Sequence, residues 1–217
     1  MIPRRTGYEK ELYSIFDKLA LMLNLAETNL QTTTQALTQR DTTLAAQAIE
    51  AAQKINKLER KTQKAILKLF ITQHPVARDF RELTAALKMT TDLARIGDQT
   101  RDIAEITTKL QNFPLGTIAT MAETALQMLQ EAIQAYTNKD LTLATNIETT
   151  DDMVDQAFET AMGELTAHIQ QSPENASTAI TLTLVAKYFE RIADHTVNIG
   201  QWVAYGITGK YPKKAEA

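Results

Sequence analysis

The chain has 217 residues, a net charge of −3 at pH 7 with both signs interspersed, and 44% hydrophobic residues. That is enough apolar material for a sizeable core, and there is no basic stripe of the kind that nucleic acid requires. With no cysteine a disulfide framework, a thiolate metal site and a cysteine nucleophile are excluded, and a reducing cytoplasm is the simplest setting. No apolar run follows Arg4 and Arg5 as in a signal peptide, and nothing approaches the ~18 consecutive apolar residues of a membrane span. The expectation is a cytoplasmic protein, peripheral to a membrane at most.

Glycine and proline are sparse between Gly7 and Gly97, and the apolar residues recur at helical spacing. In the first segment Leu12, Ile15, Phe16, Leu19, Leu23, Ala26 and Leu30 fall at steps of three and four, an amphipathic stripe. Leu44, Ala48, Ile55, Leu58, Ala65 and Leu69 continue it in the second. Asp41 and Asp140 are suited to cap two helices, as is Ser172 before Pro173. Pro75, Pro114 and Pro173 each stand where a helix could begin. The spacing predicts six helices: Tyr8 to Leu37, Asp41 to Gln73, Val76 to Asn112, Pro114 to Asn138, Asp140 to Gln170, and Pro173 to Tyr205. Helices of roughly 40–50 Å joined by short connections must run antiparallel. The predicted fold is all-α, two tandem three-helix bundles over residues 6–112 and 113–208.

An internal repeat supports that division. Arg95-Ile96-Gly97-Asp98, with Thr100, Asp102 and Ile103 downstream, returns as Arg191-Ile192-Ala193-Asp194 with Thr196, Asn198 and Ile199, every match at an offset of 96. A repeat at constant offset marks two copies of one structural unit. In the second copy Glu190, Asp194 and Asn198 lie four apart and so share a helix face. The preceding helix offers a matching ladder of Asp151, Asp155 and Glu159, with Asp152 alongside. Two acidic ladders on neighbouring helices repel unless a cation or water separates them. Carboxylates projecting from facing helices are also how bundles build multinuclear cation sites, and this ligand set suits Fe, Mn, Zn or Mg.

The plainer alternative is a pair of solvated acidic faces with Arg191–Asp194 and Arg95–Asp98 ion pairs, each worth about 0.2–0.5 kcal/mol. The first half is the poorer site: Ala94 replaces the glutamate, Ala52 and Asn56 stand opposite the acids of the fifth helix, and only Asp98 and Asp102 remain, backed by Glu59. Among the histidines, His195 reads as a surface residue or a supporting neighbour of Asp194. His168 follows Glu164 by four and so makes no Glu-x-x-His pair, and His74 reads as a turn residue. Trp202 and Tyr205 read as packing residues. No glycine-rich phosphate loop, nucleophile elbow or zinc-protease helix occurs, so no enzyme is indicated.

Three stretches carry a family resemblance: Gln73-His74-Pro75-Val76-Ala77-Arg78-Asp79, Asp92-Leu93-Ala94-Arg95-Ile96-Gly97-Asp98, and Phe189-Glu190-Arg191-Ile192-Ala193-Asp194-His195-Thr196-Val197-Asn198-Ile199. With them the chain resembles the PhoU family along nearly its whole length. The resemblance implies a non-enzymatic regulator with an iron or zinc cluster, held by Asp151, Asp155, Glu190, Asp194 and Asn198, with Asp98 and Asp102 in the first half. It also implies two partners, the phosphate ABC transporter and the sensor histidine kinase of the phosphate regulon, with signalling suppressed when phosphate is plentiful. Ala94, Ala52 and Asn56 depart from the family pattern. Long exposed helix faces are compatible with a homodimer. Two alternatives stand beside this reading: a metal-storage helical protein, and a paralogue that serves another transporter.

Overall fold

The structure is a computed structural model that describes residues 6–110 and 113–211. Six long helices account for it: α1 (Thr6–Gln39), α2 (Thr42–Gln73), α3 (Ala77–Thr107), α4 (Thr117–Asn138), α5 (Leu141–Gln171) and α6 (Ala176–Thr208), with a single 3-10 turn at Pro173–Asn175 before α6. Among the described residues there is no strand. Among the described residues no helix is long and apolar enough to cross a membrane.

The two helical hairpins close in the same way. Arg40 and Lys139 both take left-handed backbone, at φ 56 and 52, and each is followed by an aspartate that caps the next helix. Asp41 Oδ1 accepts from the Thr43 and Leu44 amides at 2.7 and 3.1 Å; Asp140 Oδ1 accepts from the Leu143 amide at 3.0 Å. Such caps satisfy amides with no partner inside the helix and are worth about 1 kcal/mol each. Ser172 makes no side-chain cap, because Pro173 opens a 3-10 turn rather than α6 itself.

The α2–α3 turn is closed by His74 at φ 44, and Tyr8 donates its hydroxyl to Asp79 Oδ2 at 2.6 Å, tying the start of α1 to that of α3. The third helix stops at Thr107, short of the predicted Asn112, which lies outside the described residues. The chain turns there because Phe113 must enter the core, where it is 4% exposed. Arg40 Nη2 donates to its carbonyl at 2.8 Å. Helix α4 likewise starts at Thr117 rather than Pro114. Its N-cap, Gly116, has no side chain, and Glu164 of α5 supplies the acceptor instead, receiving the Thr117 amide at 2.9 Å and hydroxyl at 2.6 Å. Helix α6 runs past Tyr205 to Thr208 and ends on Gly209, whose φ of 73 is the left-handed C-terminal stop that favours glycine.

Helices α1–α3 form one three-helix group and α4–α6 the other, joined where α3 packs on α6 and α1 on α4. One apolar core runs through both, including Leu83, Leu93, Ile96 and Ile103 of α3 and Leu182, Phe189, Ile192 and Ile199 of α6. Each such side chain contributes about 1.5–3 kcal/mol on burial. Most buried positions of α3 recur in α6 at the offset of 96, Ala85 and Ala94 excepted. For α2 and α5 the offset is 99: buried Ala45, Ala48 and Ile55 answer to buried Ala144, Ile147 and Val154, and buried Ala52 answers to half-buried Asp151. The second half is therefore three residues shorter between its second and third helices.

Candidate functional site

This second offset decides the environment of Asp151. Its counterpart Ala52 is fully buried, so the aspartate projects from a core-facing position of α5. Burial is the main reason its carboxyl is pushed up to about 7, with the charges of Asp194, Asp155, Asp152 and Glu190 adding to the effect. Asp155, one turn on, is raised by burial and then by Glu190 and Asp152, while Lys187 works the other way. On α6, Asp194 is open to solvent along much of its side chain, yet the packed helices beside it remove enough water to raise it, with Glu190 and Asp155 reinforcing. The four carboxylates of Asp151, Asp155, Glu190 and Asp194 thus form one mutually repelling group across α5 and α6, as their spacing predicts.

Among the described residues Lys187 is the lysine that serves this group, with His195 also easing Asp194. Lys187 lies in contact with Glu190 Oε2 across one turn of α6. That oxygen is enclosed and accepts no aligned hydrogen bond among the described residues. Among the described residues no three His, Asp or Glu side chains converge on a common point as a finished metal shell. In donor chemistry the group still fits a divalent cation: oxygen ligands only, and raised proton affinity that a cation would offset.

The first half answers the same problem with protein groups. Asn56 and Asp98 occupy the positions of Asp155 and Asp194, and the Asn56 amide donates to Asp98 Oδ1 at 3.0 Å. Where α6 carries Val197, α3 carries Arg101. Its guanidinium pairs with Asp98 at 3.2 Å, Asp102 at 3.0 Å and Glu105 at 3.8 Å. Arg95 adds a longer contact of 3.8 Å to Asp98. Glu59 is raised by burial and by Asp98. Asp98 and Asp102 thus sit in a network whose cation is built in. The expected Arg95–Asp98 pair forms; an Arg191–Asp194 pair does not occur among the described residues.

Asn198 bonds across to the other half. Its amide reaches Asp92 of α3 at 3.4 Å, and His195 Nδ1 stands 3.0 Å from the same carboxylate oxygen. The two side chains belong to the seam between α3 and α6, with His195 as the neighbour that orients Asp92. Glu164 and His168 are remote from the acids: Glu164 caps α4, which holds its carboxyl below the ordinary value through the Thr117 hydroxyl and amide, and His168 packs edge-on against Phe113. Trp202 and Tyr205 pack edge to face, each also against Tyr211. The sequence reading missed Arg101, Lys187 and Asp92. A position-by-position comparison of the repeat would have exposed the first, since Arg101 and Val197 differ in charge at matched sites.

The family model described as PhoU domain matches residues 19–107 and 118–203, one copy on each three-helix group. Among similar proteins is the phosphate-specific transport system accessory protein PhoU homolog of Synechocystis sp., 32% identical over 212 residues, 96% of this chain and 94% of that protein. The homolog of the same description from Zymomonas mobilis is 29% identical over 208 residues, covering 94% of this chain and 88% of its own. The crystal structure of PhoU from Pseudomonas aeruginosa superimposes with a TM-score of 0.89 at 27% identity, covering 94% of this chain and 100% of that one. The phosphate transport system regulatory protein PhoU from Streptococcus pneumoniae shares the fold at a TM-score of 0.86 and 21% identity, over 94% and 98% of the two chains. Both halves of the sequence and the whole six-helix architecture therefore agree: the chain belongs to the PhoU family.

Proposed function

We propose that the protein is a cytoplasmic, non-enzymatic regulator of phosphate uptake. It acts through contacts with a phosphate ABC transporter and with the sensor histidine kinase of the phosphate regulon. Family membership and the names of its relatives support the transport role. The reading includes a metal: iron or zinc, with manganese or magnesium as alternatives that oxygen ligands also suit. Asp151, Asp155, Glu190 and Asp194 would hold it in the second half. The observation that carries this assignment is the contrast between the halves. Asn56 donates to Asp98 and Arg101 neutralises its network from within, whereas at the matched positions Asp155 and Val197 the four acids have, among the described residues, Lys187 with His195 beside Asp194. A bound cation would supply the missing positive charge and fix α5 against α6. In this reading Asp98 and Asp102 serve the first half through their guanidinium, and Asn198 supports the site from the seam.

Two measurements test the proposal separately. Elemental analysis of protein purified without chelator should find metal in the wild type and a loss of most of it in Asp155→Ala and Glu190→Ala; unchanged content would overturn the metal assignment. A phosphate-responsive transcriptional reporter should become constitutive when the gene is deleted. Normal repression in the deletion strain would overturn the regulatory role and favour a protein serving another transporter.

A further inference from the structure

We propose that the cleft enclosed by α1, α3, α4 and α6, away from the acidic group, binds an anionic amphiphile: a carboxylate or phosphate head on an apolar body. The cavity measures about 570 Å³, within the roughly 300–1,000 Å³ of small-ligand sites. Phe16 and Ala20 of α1, Ala86 and Met89 of α3, and Trp202 and Ile207 of α6 give it predominantly apolar walls. Walls of this kind with a few convergent polar groups are the usual composition of a ligand site.

The polar groups determine the charge of the guest. Three cations and two acids line the cleft. Glu82 is taken up by two of the cations, Arg78 at 3.3 Å and Lys139 at 3.2 Å. The other acid, Asp17, is exposed at the mouth. That leaves Arg81. Its Nε is shut off from water and has no hydrogen-bond partner among the described residues. The half-buried Arg81 keeps its charge, its Nε is costly to leave unpaired, and a guanidinium matches carboxylate and phosphate oxygens in a two-pronged fit. Its position is built into the backbone: the group rests where a side chain on Gly209 would be, and that glycine is already required by its φ of 73. Tyr136 also lines the cleft, and burial, with Glu82 and Asp17 nearby, pushes its hydroxyl up to about 12. At neutral pH it stays protonated and can donate to the same head group.

Trp202 is the only tryptophan in the chain and lies in the wall, so its emission reports occupancy directly. The full chain is titrated, below micelle-forming concentrations, with dodecanoate, dodecyl phosphate, dodecanol and inorganic phosphate, with calorimetry as a second readout. Both anionic amphiphiles should saturate, dodecanol should bind at least tenfold more weakly, and inorganic phosphate alone should not change the emission. Arg81→Met should erase the preference for the charged head while keeping dodecanol binding. Ala20→Phe, at an exposed position of α1, should weaken every amphiphile at least tenfold with an unchanged unfolding midpoint. Equal affinity for dodecanol and dodecanoate, or undiminished binding in Ala20→Phe, would overturn the proposal. Co-sedimentation with phosphatidylglycerol vesicles that Ala20→Phe abolishes would assign the guest to a membrane lipid. Dodecanoate binding without such sedimentation would assign it to a free amphiphile.

Discussion

Replacing Asp151 by asparagine should stabilise the metal-free protein, although the residue belongs to the proposed site. In the folded chain the carboxyl is pushed up to about 7 from an ordinary 3.8. An acid whose pKa is raised on folding binds its proton more tightly in the native state, so stability falls as pH climbs from about 4 to 7 and stays low above. Each tenfold gain in proton affinity is worth about 1.4 kcal/mol for a fully buried group. Asp151 is half-buried and partly screened by water, which reduces the whole effect to about 1–2 kcal/mol. The asparagine would keep the shape, lose the charge and relieve Asp155 and Asp194 of one repelling neighbour. With excess chelator, urea unfolding at pH 8 should place D151N about 1–2 kcal/mol above wild type, or about 3–6 °C in Tm for a chain of this length. The gap should close towards pH 4. A variant no more stable than wild type at pH 8, or a gap independent of pH, would refute the claim that Asp151 is desolvated among like charges. Adding the cognate metal should reverse the order, because only the wild type gains binding energy.

Four further substitutions test packing and pairing. Gly200→Ala should cost about 2 kcal/mol, since its Cβ would stand 2.7 Å from the Ala144 carbonyl oxygen of α5, a backbone atom that cannot step aside. Gly97→Ala should cost less than about 1 kcal/mol, because its neighbour is the Ile55 side chain at 3.3 Å and the matched position already holds Ala193; urea midpoints would compare the two. Glu164→Gln should loosen the start of α4 by about 1 kcal/mol. Because the Glu164 carboxyl is held below its ordinary value, that contribution is present above about pH 4.5 and fades as pH falls; faster amide exchange at Thr117–Ile118 would check it. Arg101→Met should destabilise the protein by about 1–2 kcal/mol by leaving Asp102 unpaired and Asp98 with only the longer Arg95 contact. Adding Asp98→Asn should recover part of the loss, measured as a double-mutant cycle.

The helices were legible because an apolar stripe at spacing three and four has few other uses, and because Asp41 and Asp140 announce their caps at the chain level. Helix ends were less so. Nothing near Thr107 forbids another turn of α3; the stop comes from the need to bury Phe113, a tertiary demand. The α4 cap was invisible because Glu164 lies far along the chain from Thr117. At the site, the acids of α5 and α6 were readable from their four-residue spacing. For Asn198 spacing fixes a face but not every neighbour that face meets, and its contact with Asp92 across the seam was not legible. Arg101 escapes any search for the residues that the two halves share, because the chemistry there lies in one that they do not.

The unbroken core bears on how the chain comes apart. Two copies of a domain in a sequence suggest two units that could melt in turn. Yet the apolar rows of α3 and α6 face one another, and each copy uses the other's third helix as an inner wall. Severed at the α3–α4 connection, each copy would present that row to water, a surface typical of an obligate interface. Unfolding should then be a single cooperative event. Fragments ending near Thr107 or beginning near Thr117 should seek each other or a second copy of themselves, so that the repeat acts as a dimer joined covalently into one chain.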